Sequence, residues 1–384
     1  MMSDVGFSEY NLARRSVSLF QPLLMIGLGV AVPRYISIFP LKKSFLVGAG
    51  ILLGLSALVL GTIFFLFDSY FAELLLGDVS YSNYIMPLFS LLLGICFHAL
   101  VFGYLRGKQY VYYPNILQLF NIGILPIAVI LYAEDVRTVL LTNGLVLIAT
   151  SFSLFLRIVL KNQTVYSKKD FVEDCKDLLK YGLPRVLGDF SLLLLITAPA
   201  YLILYIQDDI LISGDVAYSF TLLNLVGAAF GPLGLVMVPE IASLMSKGEN
   251  KLIEQRFFVF LTIGLIATFI GFLIYYFFND FILQIILGEH YRPSIGEISV
   301  TILKGSFGYA LYIILRNFLD AIKVRAINSI NLLVTLTIYA LLMLFAYYND
   351  GVLEDYLNCF VASVSFLGLL TLLKTYSVVK KLPN

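Results

Sequence analysis

Eleven apolar stretches, each long enough to cross a lipid bilayer, constrain this chain more than any other feature of its sequence. A helix needs about 20 residues to cross a hydrocarbon core about 30 Å thick. The chain has 384 residues, of which 60% are hydrophobic and 13% are charged, so polar residues are too few to cover a water-soluble protein. Because lipid offers the backbone no hydrogen-bond partner, each stretch is predicted to be a helix. The predicted spans are Ser16–Val32, Ser44–Phe67, Tyr84–Phe102, Val111–Leu131, Thr138–Ile158, Leu178–Ile206, Val216–Val238, Phe257–Phe277, Ile298–Leu315, Ile327–Phe345 and Leu353–Leu373.

Lysine and arginine are distributed unevenly between the loops on the two sides of these spans. Most of the 26 basic residues fall in one set of loops, whereas acidic residues such as Asp78, Glu134 and Asp350 fall in the other set. Cytoplasmic loops carry an excess of Lys and Arg. The basic loops and the C-terminus are therefore predicted to be cytoplasmic, in a multi-pass protein of the cytoplasmic membrane. The net charge of +1 gives no indication of a nucleic-acid partner.

Short motifs recur in the same order in the two halves of the chain. Gly6-Phe7-Ser8-Glu9-Tyr10 opens the first span, and Gly214-Asp215-Val216-Ala217-Tyr218 opens the seventh. Those spans close on Pro33 and Pro239, with similar spacings from the two glycines. The matches predict an internal repeat whose unit is a bundle of helices.

A charged segment divides the repeat into two predicted bundles. Residues 1–160 form an N-terminal bundle of five spans, residues 161–177 a cytoplasmic linker, and residues 178–384 a C-terminal bundle of six spans. The inequality predicts a twelfth helix ahead of the first span, with a genuine eleven-helix protein as the alternative. Halves with an even number of helices have the same orientation and are related by an axis along the membrane normal. The expected fold is therefore all-α, with two homologous bundles around a central cavity.

Cysteine and histidine do not form patterns typical of catalysis or metal binding. Cys96, Cys175 and Cys359 are expected to be free thiols, and His98 and His290 have no neighbouring ligand residues in the sequence. The loops are short and carry no catalytic spacing. The sequence therefore predicts neither an enzyme, nor a metal site, nor a cofactor.

Three motifs resemble those of a known family of membrane proteins. They are the Gly-x-x-x-Tyr loop before an apolar span, Leu287-Gly288-Glu289-His290-Tyr291, and Tyr181-Gly182-Leu183-Pro184-Arg185 followed by Gly188-Asp189. The chain resembles Wzx-type polysaccharide flippases of the multidrug/oligosaccharidyl-lipid/polysaccharide exporter (MOP) superfamily from the family's second helix onward.

The resemblance implies a V-shaped pair of six-helix bundles that moves a lipid-linked oligosaccharide, a polysaccharide precursor, to the outer leaflet by alternating access. The implied partners are this anionic substrate, membrane lipids and other polysaccharide-assembly proteins. The apparent absence of the family's first helix is the departure from its pattern.

Charged residues inside apolar spans are the candidate substrate-binding residues. Each costs about 2.5–3.5 kcal/mol at the centre of a helix on insertion scales. Arg185 and Asp189 lie one helical turn apart, either as a structural pair or as an arginine that engages phosphate. Pro184 and Pro199 are expected to kink their span. Lys304 has no carboxylate one turn away, and it either lines a cavity or extends to the outer surface.

Other arginines lie near the ends of predicted spans, where a structural role is always one of the interpretations. Arg14 and Arg15 are placed at the outer mouth of the first span, as flanking residues or as an outer anion-binding point. Arg316 and Asp320 are interpreted as a structural surface pair, and Arg34 as an anchor that fixes the topology.

Two alternative functions remain open at the level of the sequence. An ion-coupled exporter of cationic drugs could have the same architecture, but it would require an acidic cavity. An integral-membrane enzyme that processes glycans, such as a polymerase or acyltransferase, would require a larger exposed loop or a group of catalytic side chains.

Overall fold

A computed structural model describes residues 4–110, 112–133, 135–161, 168–322 and 327–382, and within these ranges the chain is helical without any strand. The helices are α1 (Asp4–Met25), α2 (Leu28–Ile38), α3 (Ser44–Leu66), α4 (Asp68–Leu76), α5 (Ser82–Gly107), α6 (Tyr112–Gln118), α7 (Leu125–Tyr132), α8 (Val136–Leu160), α9 (Lys168–Gln207), α10 (Ile210–Ser246), α11 (Asn250–Leu287), α12 (Pro293–Leu303), α13 (Ser306–Ile322), α14 (Ile327–Tyr348) and α15 (Leu353–Lys380). Short 3₁₀ turns at Val79–Tyr81 and Gly288–His290 and a π-helical segment at Leu119–Ile124 complete the order.

The predicted all-α membrane fold is confirmed. In the described residues, nine helices are long and apolar enough to cross a membrane, and two bent pairs, α1 with α2 and α12 with α13, raise the number of candidate spans to 11. The twelfth helix stays a prediction, because it would precede Met1.

The chain divides into two compact units, Met1–Phe190 and Ser191–Asn384. The boundary falls inside α9, which is a single helix through Pro184 and Pro199 rather than a helix interrupted at either proline. The bundles of residues 1–160 and 178–384 and the linker at 161–177 stay predictions. Residues 162–167 of that linker lie outside the described residues, and residues 168–177 belong to α9.

In the first unit, α5 lies at the centre and packs against α1, α2, α3 and α8. Its inward residues, including Leu92 and Leu100, are fully buried with Leu24, Leu28 and Phe64 from the neighbouring helices. In the second unit α13 has the corresponding role against α10, α11 and α15. Both units therefore bury much of one central helix and leave the outer faces of the surrounding helices apolar, as expected for a protein solvated by lipid.

Candidate functional site

Arg185 lies in the first unit, where its described contacts are with Tyr181 one turn earlier on α9. Its Nη1 donates a hydrogen bond to the Tyr181 carbonyl oxygen at 2.9 Å, and its guanidinium carbon lies 3.8 Å from the centre of the Tyr181 ring. Asp189 is exposed on the same helix. The predicted roles of Arg185 and Asp189 in substrate binding stay predictions, and the geometry adds Tyr181 to them.

A second arginine lies over the same tyrosine ring. The guanidinium carbon of Arg34, on α2, is 4.5 Å from the centre of the Tyr181 ring, and Arg34 Nη1 donates to the Tyr181 hydroxyl at 3.4 Å. Tyr35 meets the Tyr181 ring edge-on at 6.0 Å. We refer to Arg34, Tyr181 and Arg185 as the Tyr181 cluster. Sequence reasoning gave Arg34 only an anchoring role, because nothing in the local sequence links it to α9.

A close backbone contact positions the Tyr181 cluster. Gly27, between α1 and α2, has φ of +80°, and a Cβ added at Gly182 would lie 3.0 Å from the Gly27 carbonyl group. Such a contact is possible only when both residues lack side chains. Because Tyr181 precedes Gly182 and Arg34 lies two turns after Gly27, docking α2 on α9 at these glycines brings the arginine to the ring.

Lys304 lies at the break between α12 and α13, and its side chain is exposed. The next residues turn towards α15 instead: a Cβ on Gly305 would come within 2.7 Å of Val364, and Gly308 contacts the backbone of Val364 and Gly368. At the bend, the glycines therefore pack tightly against α15, whereas the Lys304 side chain is exposed. The predicted role of Lys304 in binding substrate stays a prediction.

Arg14 and Arg15 lie within α1, because this helix begins at Asp4 rather than at the predicted Ser16. The helix therefore begins before the apolar run of the predicted span, and the placement of both residues at the outer mouth of that span stays a prediction. Arg14 is exposed and lies 5.8 Å from the centre of the Tyr10 ring, whereas Arg15 is 5% exposed. Their predicted role at an anion-binding point stays a prediction.

The second unit contains a buried ion pair that sequence reasoning missed. Arg292 at the start of α12 donates to the Asp215 carboxylate on α10, and the Ser294 hydroxyl donates to the same carboxylate at 2.7 Å. Asp215 is 2% exposed. Both charged residues looked like loop residues in the sequence, although Asp215 follows the repeated glycine that opens a span.

A buried polar network in the first unit was also missed. The Asn121 side chain lies in the π-helical segment, with its Nδ2 3.1 Å from His98 Nδ1 and 3.3 Å from Ser151 Oγ. Thr150 Oγ1 donates to Asn121 Oδ1 at 3.2 Å. These contacts join α5 and α8 to the π-helical segment. An asparagine inside an apolar run was the available signal.

Arg316 and Asp320 belong to a polar network between α13 and α14. Asn328 Nδ2 donates to Asp320 Oδ1 at 2.8 Å and to the Arg316 carbonyl oxygen at 3.1 Å, while the Arg316 guanidinium carbon lies 5.5 Å from the centre of the Tyr312 ring. These contacts connect α13 to α14, and the interpretation of Arg316 and Asp320 as a structural surface pair stays a prediction.

No protein-family model matches the chain, and no curated protein matches its sequence. Solved structures do match. An inward-facing multidrug resistance MATE family transporter of the MOP superfamily aligns with a TM-score of 0.78 and 14% identity, over 99% of this chain and 94% of that chain. The fold is that of the MATE transporters.

Two further structures show the same MATE fold. An outward-facing MATE family transporter of the MOP superfamily gives a TM-score of 0.64 at 14% identity, over 99% of this chain and 94% of that one. A MOP superfamily transporter from Pyrococcus furiosus, described as having a binding pocket of reverse polarity that suggests a different function, gives 0.67 at 15% identity, over 98% and 88%. These matches show the fold; at such low identity they carry no information on the substrate.

Proposed function

We propose that this chain is a membrane transporter that works by alternating access and moves the head group of an anionic lipid-linked oligosaccharide across the membrane. The MATE fold supports the transport part of this proposal, because transporters with this fold are described in both inward-facing and outward-facing conformations. The substrate part depends on the charges that the candidate spans carry.

The observation that favours an anionic substrate is the sign of the accessible charges within the spans. Arg34 and Lys304 are exposed and Arg185 is half-buried, against one exposed carboxylate on α9, Asp189, one turn after Arg185. The carboxylate of Asp215 is buried against Arg292. A diphosphate–sugar head group needs fixed positive charge and hydrogen-bond donors along its route, because hydrocarbon solvates neither its charge nor its hydroxyl groups.

An ion-coupled exporter of cationic compounds is the second candidate, and one residue favours it. Glu9 on α1 is 8% exposed, and its Oε2 accepts a hydrogen bond from the Tyr84 hydroxyl at 3.2 Å. A carboxylate in such a position could bind a proton or a metal cation. The MATE transporter aligned with this chain is itself described as a multidrug resistance protein.

Reconstitution into liposomes with a radiolabelled lipid-linked oligosaccharide tests the proposal. The active protein should transfer label between leaflets without changing the lipid covalently, whereas an enzyme would convert it. Lys304→Gln should lower the transfer rate about tenfold, the effect of about 1.4 kcal/mol in the transition state, and Lys304→Arg should be milder. Lys247→Gln, at an exposed turn, is the matched control.

The arginine on α9 needs a double substitution. Arg185→Gln with Asp189→Asn removes both charges of the predicted pair, so a loss of transfer in this variant cannot be assigned to an unpaired carboxylate. Normal transfer by this variant and by Lys304→Gln would contradict the proposal. Efflux of cationic dyes that requires Glu9, without lipid transfer, would instead establish the exporter.

A further inference from the structure

The Tyr181 cluster places two positive charges at one aromatic ring. The guanidinium carbons of Arg34 and Arg185 lie 4.5 Å and 3.8 Å from the same ring centre, so their separation cannot exceed the sum of these distances. Like charges at this spacing repel each other, and the negative face of an aromatic ring offsets only part of that repulsion. An anion that contacts both guanidinium groups would remove the remainder.

The donors of the two arginines are only partly used by the described contacts. Each guanidinium has five N–H groups, and the hydrogen bonds described for Arg34 and Arg185 use one nitrogen each, both towards Tyr181. The planar fork of a guanidinium matches two oxygens of a phosphate group. Two forks held at one ring therefore suit a ligand with several phosphate oxygens.

The cluster is accessible and held in a defined position. Arg34 is exposed, and Tyr181 and Arg185 are half-buried, so a ligand could reach both guanidinium groups. The contact between Gly27 and Gly182 fixes α2 against α9 before any ligand binds. A site that is already assembled loses little conformational entropy on binding.

Neighbouring charges modulate this site in opposite directions. Lys180 is exposed beside Tyr181, whereas Asp177 lies one turn earlier on α9 and acts electrostatically on Tyr35, the residue after Arg34. Asp189, exposed one turn after Arg185, is a second carboxylate beside the site, so the local balance is positive by three cations against two carboxylates. The Asp177 carboxylate should weaken the binding of an anion. Its neutralisation should therefore strengthen binding, whereas neutralisation of either arginine should weaken it.

We propose that the Tyr181 cluster binds the phosphate or diphosphate group of an anionic ligand, with Arg34 and Arg185 as its two ligating residues and Tyr181 as the residue that positions them. The assignment of that diphosphate to a lipid-linked oligosaccharide rests on the proposed function, whereas the anion site itself rests on the geometry. In the predicted topology the cluster lies near the cytoplasmic end of its helices, where a precursor made in the cytoplasm would first meet the protein.

Binding measurements on the full chain in phosphatidylcholine nanodiscs test the site. The probes are inorganic diphosphate and farnesyl diphosphate, each titrated against the wild type. Arg34→Gln and Arg185→Gln should each weaken binding about tenfold or more, as expected for loss of a charge-assisted contact. Tyr181→Leu should weaken it as well although both charges remain, and Asp177→Asn should strengthen it.

Arg106→Gln is the matched control, because Arg106 is also an exposed arginine of the first unit whose guanidinium lies over one aromatic ring, that of Phe102 at 5.6 Å. The affinity of Arg106→Gln for either diphosphate probe should stay within twofold of the wild type. Thermal melting should show that each variant is folded. Absence of diphosphate binding, or equal losses in Arg106→Gln and Arg34→Gln, would overturn the site.

The two probes separate the possible sources of the anion. Tighter binding of farnesyl diphosphate supports a lipid head group, and equal binding of both supports the site with a soluble diphosphate as its ligand. Failure of the proposed function would give a different result from failure of the site. Diphosphate binding would still depend on both arginines, but the reconstituted wild type would transfer no lipid-linked oligosaccharide. The double variant Arg34→Gln with Arg185→Gln gives the opposite case. If it still transferred the lipid-linked oligosaccharide and bound both diphosphate probes as the wild type does, the anion site would be overturned and the proposed function would stand.

Discussion

Among the described residues, each unit has one pair of helices that bend sharply within a single candidate span, and the two bends have nearly the same angle but different construction. In the first unit α1 and α2 meet at 49°, and in the second α12 and α13 meet at 47°. Ile26 and Gly27 form the first bend with φ of 43° and 80°. Lys304 keeps a right-handed conformation at the second bend, and the Lys304 and Gly305 amides donate to carbonyls three residues earlier.

The difference shows that similar bends can depend on different interactions. The first bend requires a left-handed glycine that fits against the backbone of α9. The second is a tightened helical turn, with the start of α12 held by the Asp215–Arg292 ion pair and the start of α13 held by glycine packing on α15. Substitutions that are severe in one unit should therefore have no equivalent at the corresponding place in the other.

Gly27→Ala should have the largest effect on stability. Alanine would have to adopt a left-handed φ, and its methyl group would overlap the Gly182 backbone. The free energy of unfolding should fall by about 2–6 kcal/mol, the sum of about 1–3 kcal/mol for backbone strain and about 1–3 kcal/mol for overpacking, measured by thermal or denaturant unfolding in detergent. Gly54→Ala is the control, because a methyl group there meets no atom within 4 Å and should be neutral or mildly stabilising. Equal effects of the two substitutions would show that the contact with α9 does not hold the bend.

Arg292→Gln should have the next largest effect, and this effect belongs to the second unit. Removing the arginine leaves the buried Asp215 carboxylate with Ser294 as its described donor. Loss of one partner of a buried pair costs about 3 kcal/mol or more. The double variant Arg292→Gln with Asp215→Asn should recover part of the loss in the free energy of unfolding. A double variant that is no more stable than Arg292→Gln would mean that the pair does not hold α12 against α10.

The sequence predicted the spans well because their signal is local and the solvent imposes it. The start of α3 coincides with the predicted start of its span at Ser44, since lipid leaves an apolar run of that length little choice but a helix. The bends could not be predicted in this way. Gly27 has a left-handed backbone conformation and lies against Gly182, which is far away in the sequence. No local sequence pattern indicates that contact.

The candidate site was predicted less completely for the same reason. Arg185 and Lys304 were visible as charges inside apolar runs. Arg34, which contacts the same Tyr181 ring as Arg185, looked like an ordinary flanking residue. Asp215 and Arg292 were assigned to loops because the apolar run of α10 begins later than its helix. Charges near the ends of spans are therefore the residues for which sequence patterns are least informative.

Gly308→Ala should have a moderate effect that sharpens the contrast between the bends. Gly308 does not have the left-handed φ of Gly27, so an alanine would suffer only from crowding against the Val364 and Ser365 backbone of α15. Overpacking of this kind costs about 1–3 kcal/mol. Gly271→Ala, where a methyl group meets no atom within 4 Å, is the control. A loss as large as that of Gly27→Ala would contradict the separation of strain from crowding.

The smallest expected effect concerns the helices that close the two halves of the repeat, which begin with different caps. Asp135 precedes α8 and accepts hydrogen bonds from the Thr138 amide at 2.7 Å and hydroxyl at 2.9 Å, whereas Asp355 lies inside α15 and accepts from the Val352 amide at 2.9 Å. Asp135→Ala should cost about 1 kcal/mol of unfolding free energy.

This cap should also depend on pH. The Thr138 amide lowers the pKa of Asp135, so the contribution of the Asp135 carboxylate to stability is present above the ordinary aspartate pKa, about 3.9, and is lost as the pH falls through the lowered value. Unfolding of the wild type and of Asp135→Ala at pH 7 and pH 3 measures this difference. A gap between the two proteins that widens at low pH would show that the cap acts through some property other than the charge of its carboxylate.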